Sequence, residues 1–364
     1  MPVSVPPTRS SSGRPRARGL GLPLPGTPGP LNAITDVPGV SVGLTTLSDD
    51  AAPAIRTGVT AVLPRPAGDL LSPVWAGGFT MNGNGEMTGT HWIGEAGWFA
   101  GPVTLTNTLS LGVAHHATAR WMVERFRPRL EENNLWLLPV AAETFDGWLN
   151  DIYGQHVGED HVLAAIDRAA PGPVAEGSVG GGAGMICYEF KGGTGTASRR
   201  VTVAGQEATL GVLVQANHGL RPWLTVCGRA VGEALPGDRV WTRERGSIIV
   251  LIATDAPLLP IQLQRLARRA AIGIGRGGTP SGNNSGDIFL AFSTANNPGP
   301  LPEPRRLTLE AIGNGRLDPL FLAVVEAVEE AVLNAMLAAE PCTGYKGRFV
   351  PALDGARLAE LVCG

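Results

Sequence analysis

Two segments of this chain are apolar at every position instead of at alternate ones: Ile248-Ile-Val-Leu-Ile-Ala, which follows Ser247, and Ile288-Phe-Leu-Ala-Phe. A strand of that kind has no face it can turn to water, so it must be covered on both sides. Other strand-like runs, Val40–Gly43, Gly58–Leu63, Pro102–Asn107, Trp136–Ala142 and Thr209–Gln215, are flanked by Gly or Pro. Between them lie stretches with helical spacing, Gly112–Phe126, His161–Ala169, Pro260–Gly275 and Pro319–Glu340. The last carries a continuous stripe of Leu320, Val324, Ala327, Val328, Ala331 and Val332. This alternation predicts an α/β (α+β) protein whose sheets are covered by helices on one face and by each other on the second. With 5% aromatic residues and 50 glycines, its core must be built from Ala, Val, Leu and Ile at close backbone distances. Residues 81–98 are too Gly-rich for a helix interior and read as a functional loop.

Charge and cysteine usage remove several function classes. A net charge of −3 disfavours nucleic acid as a partner, which demands clustered positive charge. The basic face of Pro260–Gly275 (Arg265, Arg268, Arg269) reads as solvated. Cys187, Cys227, Cys342 and Cys363 show no CxxC spacing, so neither a zinc ribbon nor a redox motif is indicated and reduced packing cysteines are expected. No HExxH and no G-x-S-x-G occur, and the Gly-rich stretches near Gly180 and Gly192 lack the Lys-Ser/Thr ending of a phosphate loop. No metal or cofactor is expected. Residues 1–31, rich in Pro, Ser, Arg and Gly, read as a disordered tail with no apolar signal region, and no run is long enough to span a membrane. A cytoplasmic protein with one folded unit over 32–364 is the expectation.

The candidate for chemistry is Ser247. The polar loop Arg243-Glu-Arg-Gly246 stops at this serine and the buried strand begins with it. A strand start is a rigid mount, and the preceding glycine relaxes the steric limits on the backbone. Such a serine can attack its own upstream carbonyl in an N→O acyl shift, and hydrolysis of the ester leaves an α-amine on the residue that bears the hydroxyl. An α-amine titrates near pH ~8 and can serve as the base for that hydroxyl. The residue pattern alone is a weak signal, and Gly-Ser before a strand is far more often just a polar residue opening it.

Several segments taken together resemble the DmpA-like family of self-processing N-terminal-serine hydrolases, the L-aminopeptidase/D-esterase and β-peptidyl aminopeptidase group. They are ITDVPGVSVG, GNGEMTGTHWI, ETFDGWLNDI, GTGTASRRV, VLVQANHGLR, GSIIVLIATDAPLLP and SGNNSGDIFLAFST, in this order from about Asn32 onward. The resemblance implies a four-layer αββα sandwich of the DmpA/ornithine-acetyltransferase type. The chain would be cut between Gly246 and Ser247 into 32–246 and 247–364 parts that form a homo-oligomer of processed heterodimers. It implies action on short peptides, amides or esters with a free amino end, β-peptides or D-amino acid amides among them.

Carried over by position, the resemblance makes Ser247 the nucleophile, Ser285 and Asp287 its polar support, and Asn217 the oxyanion donor. Glu143 would bind the substrate ammonium and Trp136 would wall the pocket. Asp287 stands where the family often has Glu, and Phe145 where relatives can have Tyr, so a hydroxyl is missing there. Three other readings stay open at this point: an acyltransferase of the ornithine acetyltransferase type, which usually carries Thr as nucleophile, a hydrolase of ω-amino-acid oligomers, and a processing-dead binding or scaffold relative.

Overall fold

A computed structural model of the chain describes residues 6–235, 237 and 239–364. The main elements are β1 (Ser41–Asp49), β2 (Ile55–Leu63), β3 (Val74–Gly83), α1 (Thr90–Ala96), β4 (Trp98–Phe99), β5 (Val103–Asn107), α2 (Leu111–Glu132), β6 (Val140–Thr144) and α3 (Glu159–Asp167). They continue with β7 (Gly193–Val203), β8 (Gln206–Asn217), β9 (Ser247–Thr254), α4 (Pro260–Arg276), β10 (Gly286–Ser293), α5 (Asp318–Ala338) and α6 (Gly355–Cys363). One sheet has the order β1-β2-β5-β6, the other β4-β3-β10-β9-β8-β7. Only β5/β6 and β9/β10 pair in parallel among these neighbours.

The two fully apolar strands explain the layering. In β9, Ile248, Val250 and Ile252 join a core with α4 and α5, whereas Ile249, Leu251 and Ala253 join a second core containing Val62, Val103, Leu105, Val140 and Ala142 of the other sheet. β10 divides in the same way, Phe289 and Ala291 to the helices, Leu290 and Phe292 to the inter-sheet layer. A third core packs α2 and α3 on the outer face of the four-stranded sheet through Trp121, Met122, Val162 and Ile166. The result is the expected αββα sandwich. Ile248 to Ala253 are all 0% exposed. Five of those side chains are large, and burying each contributes ~1.5–3 kcal/mol, an upper figure because the unfolded chain is itself partly collapsed. Ser247 heads a strand that is held from both sides.

The structure corrects three expectations about elements and one about a surface. From residue 6 onward the N-terminal segment is packed, not disordered. Arg16 is 4% exposed and pairs with Glu176 at 2.8 Å, Ala17 lies in the core, and Arg18 reaches Glu330 at 3.0 Å. Buried acids on β7's flank and α5 give these arginines partners, which offsets the cost of ordering a Pro- and Gly-rich stretch. Residues 1–5 of the expected tail lie outside the described residues. The Gly-rich segment 81–98 contains a seven-residue helix, α1, bounded by Gly89 and Gly97 at φ 77° and 79°. Its glycines thus act as stops on both sides of a short helix. Of the strand expected over Trp136–Ala142, only Val140 onward pairs, because Trp136 and Leu138 face outward, at 71% and 42% exposed. The arginines of α4 are not simply solvated: Arg265 and Arg269 lie over the Phe321 ring and Arg268 over Phe79. The four cysteines are unpaired, as expected.

Candidate active site

β8 and β9 run antiparallel and place Asn217 opposite Ser247, and the parallel β9/β10 register places Gly286 beside Ser247 and Asp287 beside Ile248. Three sequence-distant segments therefore meet at one end of the larger sheet. Ser247 is 3% exposed. Asn217 Nδ2 lies 3.5 Å from Ser247 Oγ and donates to the Phe145 carbonyl at 3.0 Å, while Asn217 Oδ1 accepts Ile186 N–H at 2.8 Å. Both ends of the amide are engaged, so its orientation is fixed. The Gly246 carbonyl, the one belonging to the Gly246–Ser247 bond, accepts Gly286 N–H at 3.3 Å. A Cβ on Gly246 would come within 2.4 Å of the Asn217 carbonyl oxygen, so no other residue fits between strand and loop there.

On the other flank, Ser285 Oγ donates to Asp287 Oδ1 at 2.7 Å, Ser281 Oγ donates to Asp287 Oδ2, and Ile248 N–H also points to this carboxylate. Burial raises the Asp287 pKa above the usual carboxylate range, against the opposing pull of these donors. The shorter side chain keeps its partners without the extra methylene of Glu.

A cleft of about 610 Å³ opens in front of Ser247, lined by Glu143, Phe145, Thr108, Glu86, Arg245 and Asn284 among others. Glu143 is 4% exposed at the end of β6. Its Oε1 accepts Glu86 N–H at 2.9 Å and its Oε2 accepts the Thr108 hydroxyl. Burial raises its pKa, and the nearby Glu86 charge adds to the rise. No cation pairs with it among the described residues, so a bound ammonium would supply the charge partner that this site lacks. Phe145 is 47% exposed on the cleft wall and acts on Asn217 through its carbonyl, not its ring. Trp136 is the exception among the expected site residues. It lines a separate apolar cavity with Trp92, Trp98 and Leu301, outside the Ser247 cleft. Its place just before β6 sends it to the outer surface.

Sequence reasoning missed two carboxylates that organise the site. Glu244, 7% exposed, accepts Gly219 N–H and Gly282 N–H, each at 2.7 Å, and the Thr279 hydroxyl at 3.3 Å. It ties the loop before Ser247 to the segments that follow Asn217 and precede Ser285. Burial raises its pKa. Asp146, fully buried next to Phe145, accepts from Asn150 at 3.1 Å and is pushed up to about 7 by burial. The only sequence signal for either was its neighbourhood, Glu244 three residues before Ser247 and Asp146 three after Glu143. His218 is buried with its Nε2 unpartnered, and burial pushes its pKa down to about 3, which favours the neutral ring. Among the described residues no group of His, Cys, Asp and Glu side chains is placed to hold a metal ion. No helix among them is long and apolar enough to cross a membrane.

Known proteins match this geometry along nearly the whole chain. The profile of peptidase family S58 matches residues 32–350. The chain is 48% identical to the β-peptidyl aminopeptidase BapA of Sphingosinicella microcystinivorans over 97% of its own length and 93% of the relative's. It superposes with a TM-score of 0.92 and 52% identity on the L-aminopeptidase D-Ala-esterase/amidase of Ochrobactrum anthropi, described as a prototype of the serine aminopeptidases with a variant Ntn-hydrolase fold, covering 96% and 98% of the two chains. A Burkholderia β-aminopeptidase gives a TM-score of 0.89 and 46% identity with coverage of 96% and 98%. The matches do not favour the acyltransferase or scaffold readings. The chain belongs to peptidase family S58 and is an N-terminal-nucleophile aminopeptidase or amidase.

Proposed function

We propose that the chain cuts its own Gly246–Ser247 bond and then uses Ser247 as an N-terminal nucleophile on short peptides and amides with a free amino end. The observation that carries this reading is the position of Ser247: a buried strand head whose own upstream carbonyl is held by Gly286 N–H and whose hydroxyl faces the Asn217 amide. In the first step Ser247 Oγ bonds to the Gly246 carbonyl carbon, the C–N bond breaks, and the amine keeps the proton released by the hydroxyl. Water then hydrolyses the Gly246 ester. In turnover the freed α-amine takes the Ser247 hydroxyl proton as Oγ attacks the substrate carbonyl, and Asn217 donates to the oxyanion. The proton passes to the leaving amine, and water releases the acyl group from Oγ. Ser285 and Asp287 hold the charged form of the α-amine.

Glu143 selects substrates with a free ammonium, since an N-blocked substrate leaves the buried carboxylate unpaired. The relatives named β-peptidyl aminopeptidases support β-amino-acid amides as the preferred class. Turnover of β-alanyl p-nitroanilide beside its N-acetyl form tests the amine requirement, with a drop of at least ~10²-fold on acetylation expected. Equal rates would reject it. The processed unit is a homo-oligomer, a reading supported by the exposed Trp136 and Leu138 beside an apolar cavity. Mass photometry checks it, with Trp136→Ser expected to shift the population to smaller species.

A further inference from the structure

Lys191 is one of two lysines in the chain and is 0% exposed. It forms no ion pair with a carboxylate among the described residues. Its three N–H groups go to main-chain carbonyls instead, Met185 O at 2.9 Å, Gly192 O at 2.9 Å and Gly182 O at 3.3 Å. A buried cation without a counter-charge costs several kcal/mol, and an apolar side chain would fill the same space without that penalty. The charge therefore calls for a role beyond packing.

The geometry around it supplies one. Ile186–Cys187 and Phe190–Lys191 pair as a short hairpin in which Ile186 faces Lys191. Its two turn residues, Tyr188 and Glu189, sit at φ 49° and 63°, and Tyr188 N–H is held by the His218 carbonyl at 2.8 Å. Positive φ at both central positions suits a tight primed turn. The ammonium contacts Met185 O, and the N–H at the other end of that same peptide group, Ile186 N–H, donates to Asn217 Oδ1 at 2.8 Å. Asn217 Nδ2 in turn faces Ser247 Oγ at 3.5 Å. Charge, peptide, amide and nucleophile thus form one hydrogen-bonded series. A cation on the carbonyl end of a conjugated peptide makes its N–H a stronger donor, and polarisation of this kind passes along a series in a low-dielectric interior.

We propose that Lys191 is a positioning residue for the oxyanion donor: through the Met185–Ile186 peptide its ammonium orients and polarises the Asn217 amide toward Ser247. This rests on the oxyanion role given to Asn217 above. Lys191 touches neither substrate nor reacting atoms. Arg56, Asp146, Cys187 and Cys342 are the charged or titratable groups that face it. Burial pushes Asp146 up to about 7 and Cys187 up to about 12, and it pushes Lys191 down to about 8.

The test compares wild type, Lys191→Met, Lys191→Gln and Asn217→Ala, with kcat expressed per site titrated by a serine-directed covalent reagent. Both Lys191 variants are expected to lose about 10- to 100-fold in kcat per site with KM within about threefold, part of the ~10²–10³ that a direct oxyanion donor contributes. A purely structural lysine would lower the melting temperature and the number of titrated sites while kcat per site held; a value within twofold of wild type overturns the proposal. Asn217→Ala separates the two ideas. A loss under threefold there removes the oxyanion role itself, whereas a large loss with normal Lys191 variants removes only the lysine's part. If neither Lys191 variant folds, a Cys342→Ser background, free of that thiol's ionisation, decides through the pH dependence of kcat at saturating substrate. An alkaline fall that disappears in Asn217→Ala supports the proposal, and the same profile with and without the Asn217 amide overturns it.

Discussion

Glu244 shows what a single residue contributes around the Gly246–Ser247 bond. Its carboxylate gathers Gly219 N–H, Gly282 N–H and the Thr279 hydroxyl, so two segments meet on one acceptor from a third. Removing it leaves the buried Gly219 N–H without a partner, worth ~1–3 kcal/mol, and frees the half-buried Gly282 N–H as well. Glu244→Ala is therefore expected to slow self-cleavage at least tenfold in a time course followed by denaturing electrophoresis, while the far-UV spectrum of the chain stays that of the wild type. At the same scale, Glu143→Gln keeps acceptance from Glu86 N–H and removes the charge. It should raise KM for amino-free substrates by ~10-fold or more and leave the already poor N-acetyl substrate unchanged, as steady-state kinetics with the two p-nitroanilides will show. Ser247 stood out in the sequence as a serine that ends a charged loop at the head of a six-residue apolar run, and the family resemblance, not that pattern, made it the proposed nucleophile. Glu244 did not stand out, because a carboxylate in Arg-Glu-Arg-Gly reads as a solvated loop charge until the fold brings Gly219 and Gly282 to it.

The elements that mount these residues are β8, β9 and β10, and their fit fixes the register. Gly246 lies against the Asn217 carbonyl so closely that a Cβ would stand 2.4 Å from it, and Gly286 lies against Asn84 O at the same 2.4 Å. Gly246→Val must displace the Gly246 carbonyl from Gly286 N–H, and, if that bond is the one cut, a folded, uncut chain is expected on electrophoresis and calorimetry. β9 and β10 could be read directly from the sequence, since strands apolar on both faces have no other home than an inner sheet position. The helices α2, α4 and α5 were legible from their spacing for the same kind of reason. α1 and the shortened β6 were not. Glycines at both ends of a seven-residue helix resemble a loop composition, and the apolar Trp136-Leu-Leu run looks like a strand although Trp136 and Leu138 point outward. Local composition cannot tell an outward apolar residue from a buried one.

Across the whole molecule, the N-terminal segment closes a buried ionic cluster in which Arg16, Arg18 and Arg199 meet Glu176, Glu326 and Glu330. No motif announces it, because the partners lie 127 to 312 residues apart along the chain. Arg16→Met leaves Glu176 buried without its cation, a change that costs ~3–5 kcal/mol, and thermal denaturation should show the loss. Asp146 adds a pH term of known sign. Its pKa is about 7 when folded, against ~3.9 in an unfolded chain. The folded state therefore holds a proton that the unfolded state releases, and this contribution is full below about pH 4 and lost as pH rises through 7. Asp146→Asn should flatten the dependence of melting temperature on pH between 5 and 8. The proposed chemistry turns on one bond, Gly246–Ser247. N-terminal sequencing and intact-mass measurement of the purified protein test it directly. The expected result is a second chain beginning Ser-Ile-Ile-Val, formed as activity appears, with Ser247→Ala uncut and inactive. A chain that hydrolyses amides at full rate while Gly246–Ser247 stays intact would contradict it.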